Sequence, residues 1–115
     1  MKDFMMIFVG TPYEELGLSP EELQGRMAKW WAWGNKMKEA GVLKGGEALH
    51  ATAKKIVGPK RTVSDGPFAE SKELIGGYYT VSAESVEEVI KIAEDYPDYD
   101  LDGGVEIREV VVFDR

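Results

Sequence analysis

"FMMIFV", residues 4–9, is an unbroken apolar run closed by Gly10 and Pro12. A run this short, rich in residues that suit a sheet and ended by turn formers, reads as a buried first strand. Successive side chains of a strand point to opposite faces. Met5, Ile7 and Val9 therefore share one face, Phe4, Met6 and Phe8 share the other, and both faces are apolar. The last strand, expected over Gly104 to Phe113, repeats the pattern with Val111 and Phe113 set against Val110 and Val112. If helices cover one face of such a sheet, the other face needs cover too. Two sheets packed face to face in an isologous homodimer would supply it.

Between these strands the signals alternate. Ser19-Pro20-Glu21-Glu22 is a helix start: Ser19 can accept from an early amide, Pro20 has the right φ for a first turn, and Glu22 completes a capping box. The helix is expected to run to Ala40, where Gly41 stops it. At about 100° per residue, Leu23, Met27, Trp30, Gly34 and Met37 fall close together, with Trp31 and Trp33 flanking them on opposite sides. The stripe is broad, and reads as a core-facing surface or as one whose tryptophan edge lines a pocket or a subunit contact. Gly34 costs about 1 kcal/mol relative to Ala in a helix interior, which suggests a close approach to the backbone there.

Tyr13 to Leu18 reads as a loop. Ala48 to Val57 and Arg61 to Ser64 read as two strands joined by Gly58-Pro59-Lys60, and Leu74 to Val81 as a further strand. The pair Gly76-Gly77 inside it marks a bulge or the close approach of another group. Ser85 and Glu88 make a second capping box, and Val86, Val89, Ile90 and Ala93 repeat at helix spacing until Pro97. "DYPDYDLDGG" then reads as an acidic, solvated loop. Strands with two interleaved helices fit a ferredoxin-like α+β fold, one antiparallel sheet with both helices on one face.

Composition narrows the partners. A chain of 115 residues with 43% hydrophobic content is one ordinary domain with a real core. A net charge of -7 argues against nucleic acid, whose binding needs concentrated Lys and Arg. The absence of cysteine removes disulfides, thiol nucleophiles and thiolate metal sites, and suits a reducing cytosol. The opening "MKDFMMIFVG" is too short and too acidic for a signal peptide, and nothing approaches a membrane span. A cytoplasmic protein without a membrane partner is the expectation.

Two readings of Asp65-Gly66-Pro67-Phe68 stay open. In the first, Asp65 bonds nearby amides, Gly66 takes the turn, Phe68 plugs the core, and Glu70, Lys72 and Glu73 form a solvated face. In the second the turn belongs to a site. His50 is the only histidine, hence the simplest general acid or base. The Gly58-Pro59 hairpin would carry Asp65 toward Glu47 and His50, where a carboxylate orients the ring and favours its protonated form. One histidine among scattered carboxylates lacks the spacing of a zinc or iron site, and no phosphate-binding glycine loop is present, so neither metal nor cofactor is expected.

"DGPFAESKELIGGYY", beginning at Asp65, resembles the signature of the DGPF branch of the YCII-related proteins. "MKDFMMIFVG" is similar to that family's opening strand, "AGVLKGGEAL" to its segment after the first helix, and "VSAESVEEVIKIAEDYP" to its second helix. The resemblance implies a dimeric α+β barrel. YCII-like proteins are described as possible enzymes with a His and Asp pair, and Asp65 matches the DGPF aspartate; a barrel-like fold of this kind offers cavities that suit small ligands. On this reading His50 and Asp65 perform cofactor-independent proton transfer, of lyase or isomerase type, in a pocket between sheet and helices. Glu47, Phe68, Glu70 and Tyr78 would bind the substrate. The alternative is a non-catalytic ligand-binding or regulatory interaction module.

Overall fold

The computed structural model describes residues 1–65 and 74–114. The elements, in order, are β1 (Lys2–Gly10), α1 (Pro20–Glu39), β2 (Leu43–Ala48), β3 (Lys54–Val57), β4 (Thr62–Asp65), β5 (Leu74–Ala83), α2 (Val86–Ala93) and β6 (Gly104–Glu109). Short 3₁₀ turns at Tyr13–Glu15 and Tyr99–Leu101 precede α1 and β6. Four strands form one antiparallel sheet in the order β2-β5-β1-β6, while β3 and β4 pair only with each other. The sheet order is that of a ferredoxin-like α+β fold, as expected. No helix among the described residues is long and apolar enough to cross a membrane.

Local chemistry explains the boundaries. The Ser19 hydroxyl accepts from the Glu22 amide at 3.1 Å, and the Glu22 carboxylate accepts from the Ser19 amide at 3.1 Å, the reciprocal box the sequence predicts. Past Glu39 the chain leaves α1 through Gly41 at φ 72°, a conformation that favours glycine. At α2, Ser85 accepts from the Glu88 amide, but Glu88 reaches back to the Glu84 amide instead of to Ser85. The Gly76-Gly77 signal holds in both senses. The β1–β5 register shifts between Phe8 and Val9, opposite these glycines, and a side chain at Gly77 would collide with the Glu47 carbonyl of β2.

Three segments differ from the sequence reading. Leu43–Ala48 is an edge strand, although its two glycines and exposed Lys44 and Glu47 hide any alternation. The run from Ala48 to Val57 is not one strand: β2 ends at Ala48 and β3 begins at Lys54, so the hairpin leaves the main sheet. The last strand stops at Glu109: the Val110 amide still donates to the Asp3 carbonyl of β1 at 2.8 Å, but Val111, Val112 and Phe113 lie exposed beyond it.

The two faces of β1 have different fates. Phe4, Met6 and Phe8 are buried against Trp33 and Met37 of α1 and Val89 and Ala93 of α2. Met5, Ile7 and Val9 stay only half-buried, because both helices lie on the other side. Leu23 and Met27, expected on the core stripe, are 40% and 44% exposed. The helix is turned so that Arg26, Trp30, Trp33 and Met37, spaced four, three and four residues apart, form its inner line. The bulk of the two tryptophans fills the gap to the sheet.

Glycine substitutions test this packing. A Cβ on Gly46 would run into the Tyr78 carbonyl and the Tyr79 ring, one on Gly45 would meet open space, and one on Gly34 would sit 3.7 Å from the Tyr79 hydroxyl, an ordinary contact. In urea unfolding, Gly46→Ala should lose about 1–3 kcal/mol from overpacking, whereas Gly34→Ala should gain about 0.5–1 kcal/mol from helix propensity. A neutral Gly46→Ala would contradict the placement of the Tyr79 ring.

Candidate functional site at one end of the sheet

Five rings fill the space between sheet and helices. Phe8 lies 5.0 Å from Trp30, 5.6 Å from Trp33, 5.2 Å from Tyr79 and 5.5 Å from Tyr96 between ring centroids. Edge-to-face pairs at such distances add about 0.5–1.5 kcal/mol each beyond their buried area. One side of this cluster ends in polar groups. The Trp30 indole donates to the Tyr13 hydroxyl at 2.8 Å, and that hydroxyl donates to Asp98 at 2.6 Å. Arg26 donates to the Pro97 carbonyl at 3.0 Å, lies 3.5 Å from Asp98, and grips Asp100 with two bonds of 2.6 Å.

Asp98 is 8% exposed, the one buried charged residue among those described. A buried carboxylate is tolerable only with donors around it, and Tyr13 and Arg26 are those donors. Burial, then the bond to Asp98, raises the Tyr13 phenol, and burial with the nearby Asp98 charge raises Tyr96. The bond from Arg26 holds Asp100 below the usual carboxylate range. Tyr13 is thus kept as a neutral donor. The acidic loop is not simply solvated: its Asp98 is the anchor of the network. Arg26 was the available signal, since a cation in line with Trp30 and Trp33 calls for a carboxylate.

The register brings this network and one predicted residue, His50, to the same end of the sheet. Gly10, three residues before Tyr13, pairs with Leu74, and Val9 pairs with Gly104. On the other side of β5, the Leu49 amide donates to the Gly76 carbonyl, placing His50 just beyond the same end. His50 is exposed and stands past the edge strand β2. Asp98 stands by β6, three strand spacings away, or about 14 Å at ~4.8 Å per strand. Those two groups therefore flank the sheet end and do not touch.

The remaining predicted residues divide between surfaces. Asp65, exposed on β4, pairs with Lys54 across the hairpin, and no described contact joins it to His50 or Glu47. Glu47 and Tyr78 are brought together as cross-strand partners. They lie on the face away from the helices, because Tyr78 pairs with Ile7. Tyr79, which pairs with the buried Met6, lines the helix side. Phe68 and Glu70 lie outside the described residues. A separate cavity of about 220 Å³ opens between α1 and α2, walled by Trp33, Met37, Val42 and Ile92, with Lys36 bonded to Asp95 at its mouth.

Comparison with known proteins places the chain as follows. The profile of the YCII-related domain matches residues 3–114. The structure is similar to that of 5-chloro-2-hydroxyhydroquinone dehydrochlorinase from Burkholderia phenoliruptrix AC1100 in complex with 2,5-dihydroxybenzoquinone. The two share 15% identity over 92% of this chain and 90% of that one, with a TM-score of 0.47. No curated protein matches the sequence.

The tyrosine network has a defined alkaline limit. Because the folded-state values of Tyr13 and Tyr96 lie above the ordinary 10.0, their contribution is complete below pH 10 and is lost as pH rises beyond it toward the folded values. Thermal melts should therefore hold level up to pH 10 and fall above it. Tyr13→Phe, which strips Asp98 and the Trp30 indole of a partner, should cost about 1–3 kcal/mol at neutral pH. An unchanged stability in this variant would remove the network from the account.

Proposed function

The chain belongs to the YCII-related domain family, and on that premise we propose that it binds a small molecule at the Gly10 end of its sheet, works as a homodimer and performs cofactor-independent acid–base chemistry. The observation that carries the ligand reading is what lines one sheet end: an aromatic wall and a buried carboxylate with its Tyr13 donor at one side, and the only imidazole of the chain at the other. Small-molecule sites combine an apolar wall with a few placed polar groups in this way. A planar molecule bearing a hydroxyl or carbonyl group would match the rings with its body and the polar groups with its edge. In this reading His50 is the acid or base, and Asp65, Glu47, Phe68, Glu70 and Tyr78 are the further proposed site residues; within one chain Asp65 is bonded to Lys54, and Glu47 and Tyr78 lie on the open face.

The homodimer forms through the open face of the sheet. One row across that face reads Glu47, Tyr78, Ile7, Glu106, and the next reads Gly45, Thr80, Met5, Arg108. The first row, with an apolar centre between charged ends, has the anatomy of a protein interface. The molecule is 18 Å across its thinnest direction, room for the sheet and one helix layer only. A second copy supplies the missing layer.

A second reading, a non-catalytic binding module, is favoured by one observation: Asp65 is engaged by Lys54 instead of by His50. Solvent exchange separates the two. A panel of small carbon acids incubated in D₂O with the protein should show catalysed C–H exchange for at least one member, and His50→Gln should slow it about 10²–10⁴-fold, the range of general acid–base catalysis. Exchange that persists in His50→Gln removes His50 from the mechanism. Binding without exchange for every member supports the second reading. For the dimer, Ile7→Asp should turn a sedimenting dimer into a monomer, and a wild-type monomer at micromolar concentration would reject it.

A further inference from the structure

The hairpin of β3 and β4 is poorly explained by the chain that carries it. Every residue of both strands is exposed, and among the described residues no element makes more than marginal contact with it. Yet it is not built as a solvated loop. Ile56 and Val63 face each other across the strands while 65% and 63% exposed, and Val57 adds a third apolar side chain at 47%. An isolated two-stranded hairpin is marginal in water and needs a surface to pack on. Its turn is well specified, with Gly58 at φ 80° and the Arg61 amide bonded to the Gly58 carbonyl at 3.0 Å. The arm also stretches the molecule: the radius of gyration is 15.9 Å, where a compact chain of this length gives about 13 Å.

Charge indicates the surface. Lys54, Lys55, Lys60 and Arg61 face a single carboxylate, Asp65, within the hairpin, whereas the whole chain has a net charge of -7. Among the described residues only Lys54 of those four has an ion-pair partner. The body, by contrast, exposes carboxylates at the start of both helices, Glu21 on α1 and Glu87 on α2, beside the capping Glu22 and Glu88. A basic arm with an apolar pair is thus complementary to the body of its own kind of chain. Resting on the homodimer reading above, we propose that the β3–β4 hairpin is an exchanged arm that docks on the body of a second copy, Ile56 and Val63 against apolar surface and the arm's cations against its carboxylates. Each copy then places Asp65 beside the partner.

The absence of cysteine makes the test direct. Val63→Cys carries a benzophenone label and is co-refolded with heavy-isotope wild-type chain; after irradiation, cross-linked peptides are sorted by mass. The expected result is cross-links joining the labelled light arm to heavy body peptides, concentrated on one patch. A companion variant, Ile56→Glu with Val63→Glu, should weaken dimerisation at least tenfold in sedimentation while leaving the circular dichroism unchanged. If the protein sediments as a dimer but the arm links only to its own chain, or to nothing, the arm proposal is overturned and the homodimer reading stands. If the wild type sediments as a monomer, both fall. Cross-links to an added nucleic acid or anionic vesicle in place of the partner chain would also overturn it.

Discussion

Phe8 stacks on Tyr96 and meets Trp30, Trp33 and Tyr79, so a single ring ties together β1, α1, β5 and the loop before β6. Much else follows from that contact. Rings of this size force the sheet and helices to a fixed separation, and space must be cleared around them. Gly46 lies under the Tyr79 ring and Gly103 under the Tyr96 hydroxyl, positions where a Cβ cannot fit. The same rings need partners for their polar atoms. Trp33 donates to the Ile92 carbonyl of α2 at 3.0 Å, and Trp30 donates to Tyr13, which leads to Asp98 and Arg26. The polar network at the sheet end is therefore the polar boundary of the aromatic core.

That arrangement uses one face of the sheet completely and leaves the other open. The half-buried row of Tyr78 and Ile7 between two glutamates, the exposed hairpin and the exposed Val111, Val112 and Phe113 are apolar surface that one copy does not cover. At ~25 cal/mol per Å², leaving such area in water forgoes stabilisation comparable to that of several core side chains. In the proposed homodimer an isologous contact would cover this patch on both copies at once.

The sequence was informative where local chemistry decides structure. Ser19 and Glu22 mark the start of α1, Gly41 its end, and the alternation of residues 4–9 announces both a core face and an unfinished one. The Gly76-Gly77 pair announces the bulge. It was less informative where tertiary pairing decides. Leu43–Ala48 has no apolar alternation because an edge strand with one open side has little to bury, and it is held by backbone bonds to β5. Valines at 110–112 suit a strand, yet a strand needs a neighbour, and past the bond from the Val110 amide to the Asp3 carbonyl the chain no longer pairs with β1. Tyr13 and Asp98 were invisible for a related reason: 85 residues separate them, and only the return of β6 beside β1 brings their loops together. His50 and Asp65 stand out by residue type alone, and nothing in their local sequence shows that β3 and β4 leave the main sheet or that Asp65 pairs with Lys54.

The central claim is that the end of the sheet holding Tyr13, Asp98 and His50 is where a small molecule binds. The three tryptophans make it measurable: Trp30 bonds Tyr13, Trp33 is buried and bonded to Ile92, and Trp31 is 65% exposed on the outer side of α1. Their indole N–H resonances can be followed while a panel of small planar hydroxyl and carbonyl compounds is titrated into the ¹⁵N-labelled protein. The account predicts saturable shifts of Trp30 together with the amides of Gly10 and His50, with Trp31 unmoved. Binding that shifts Trp31, or the cavity residues Val42 and Ile92, while leaving Trp30 and His50 in place would contradict it.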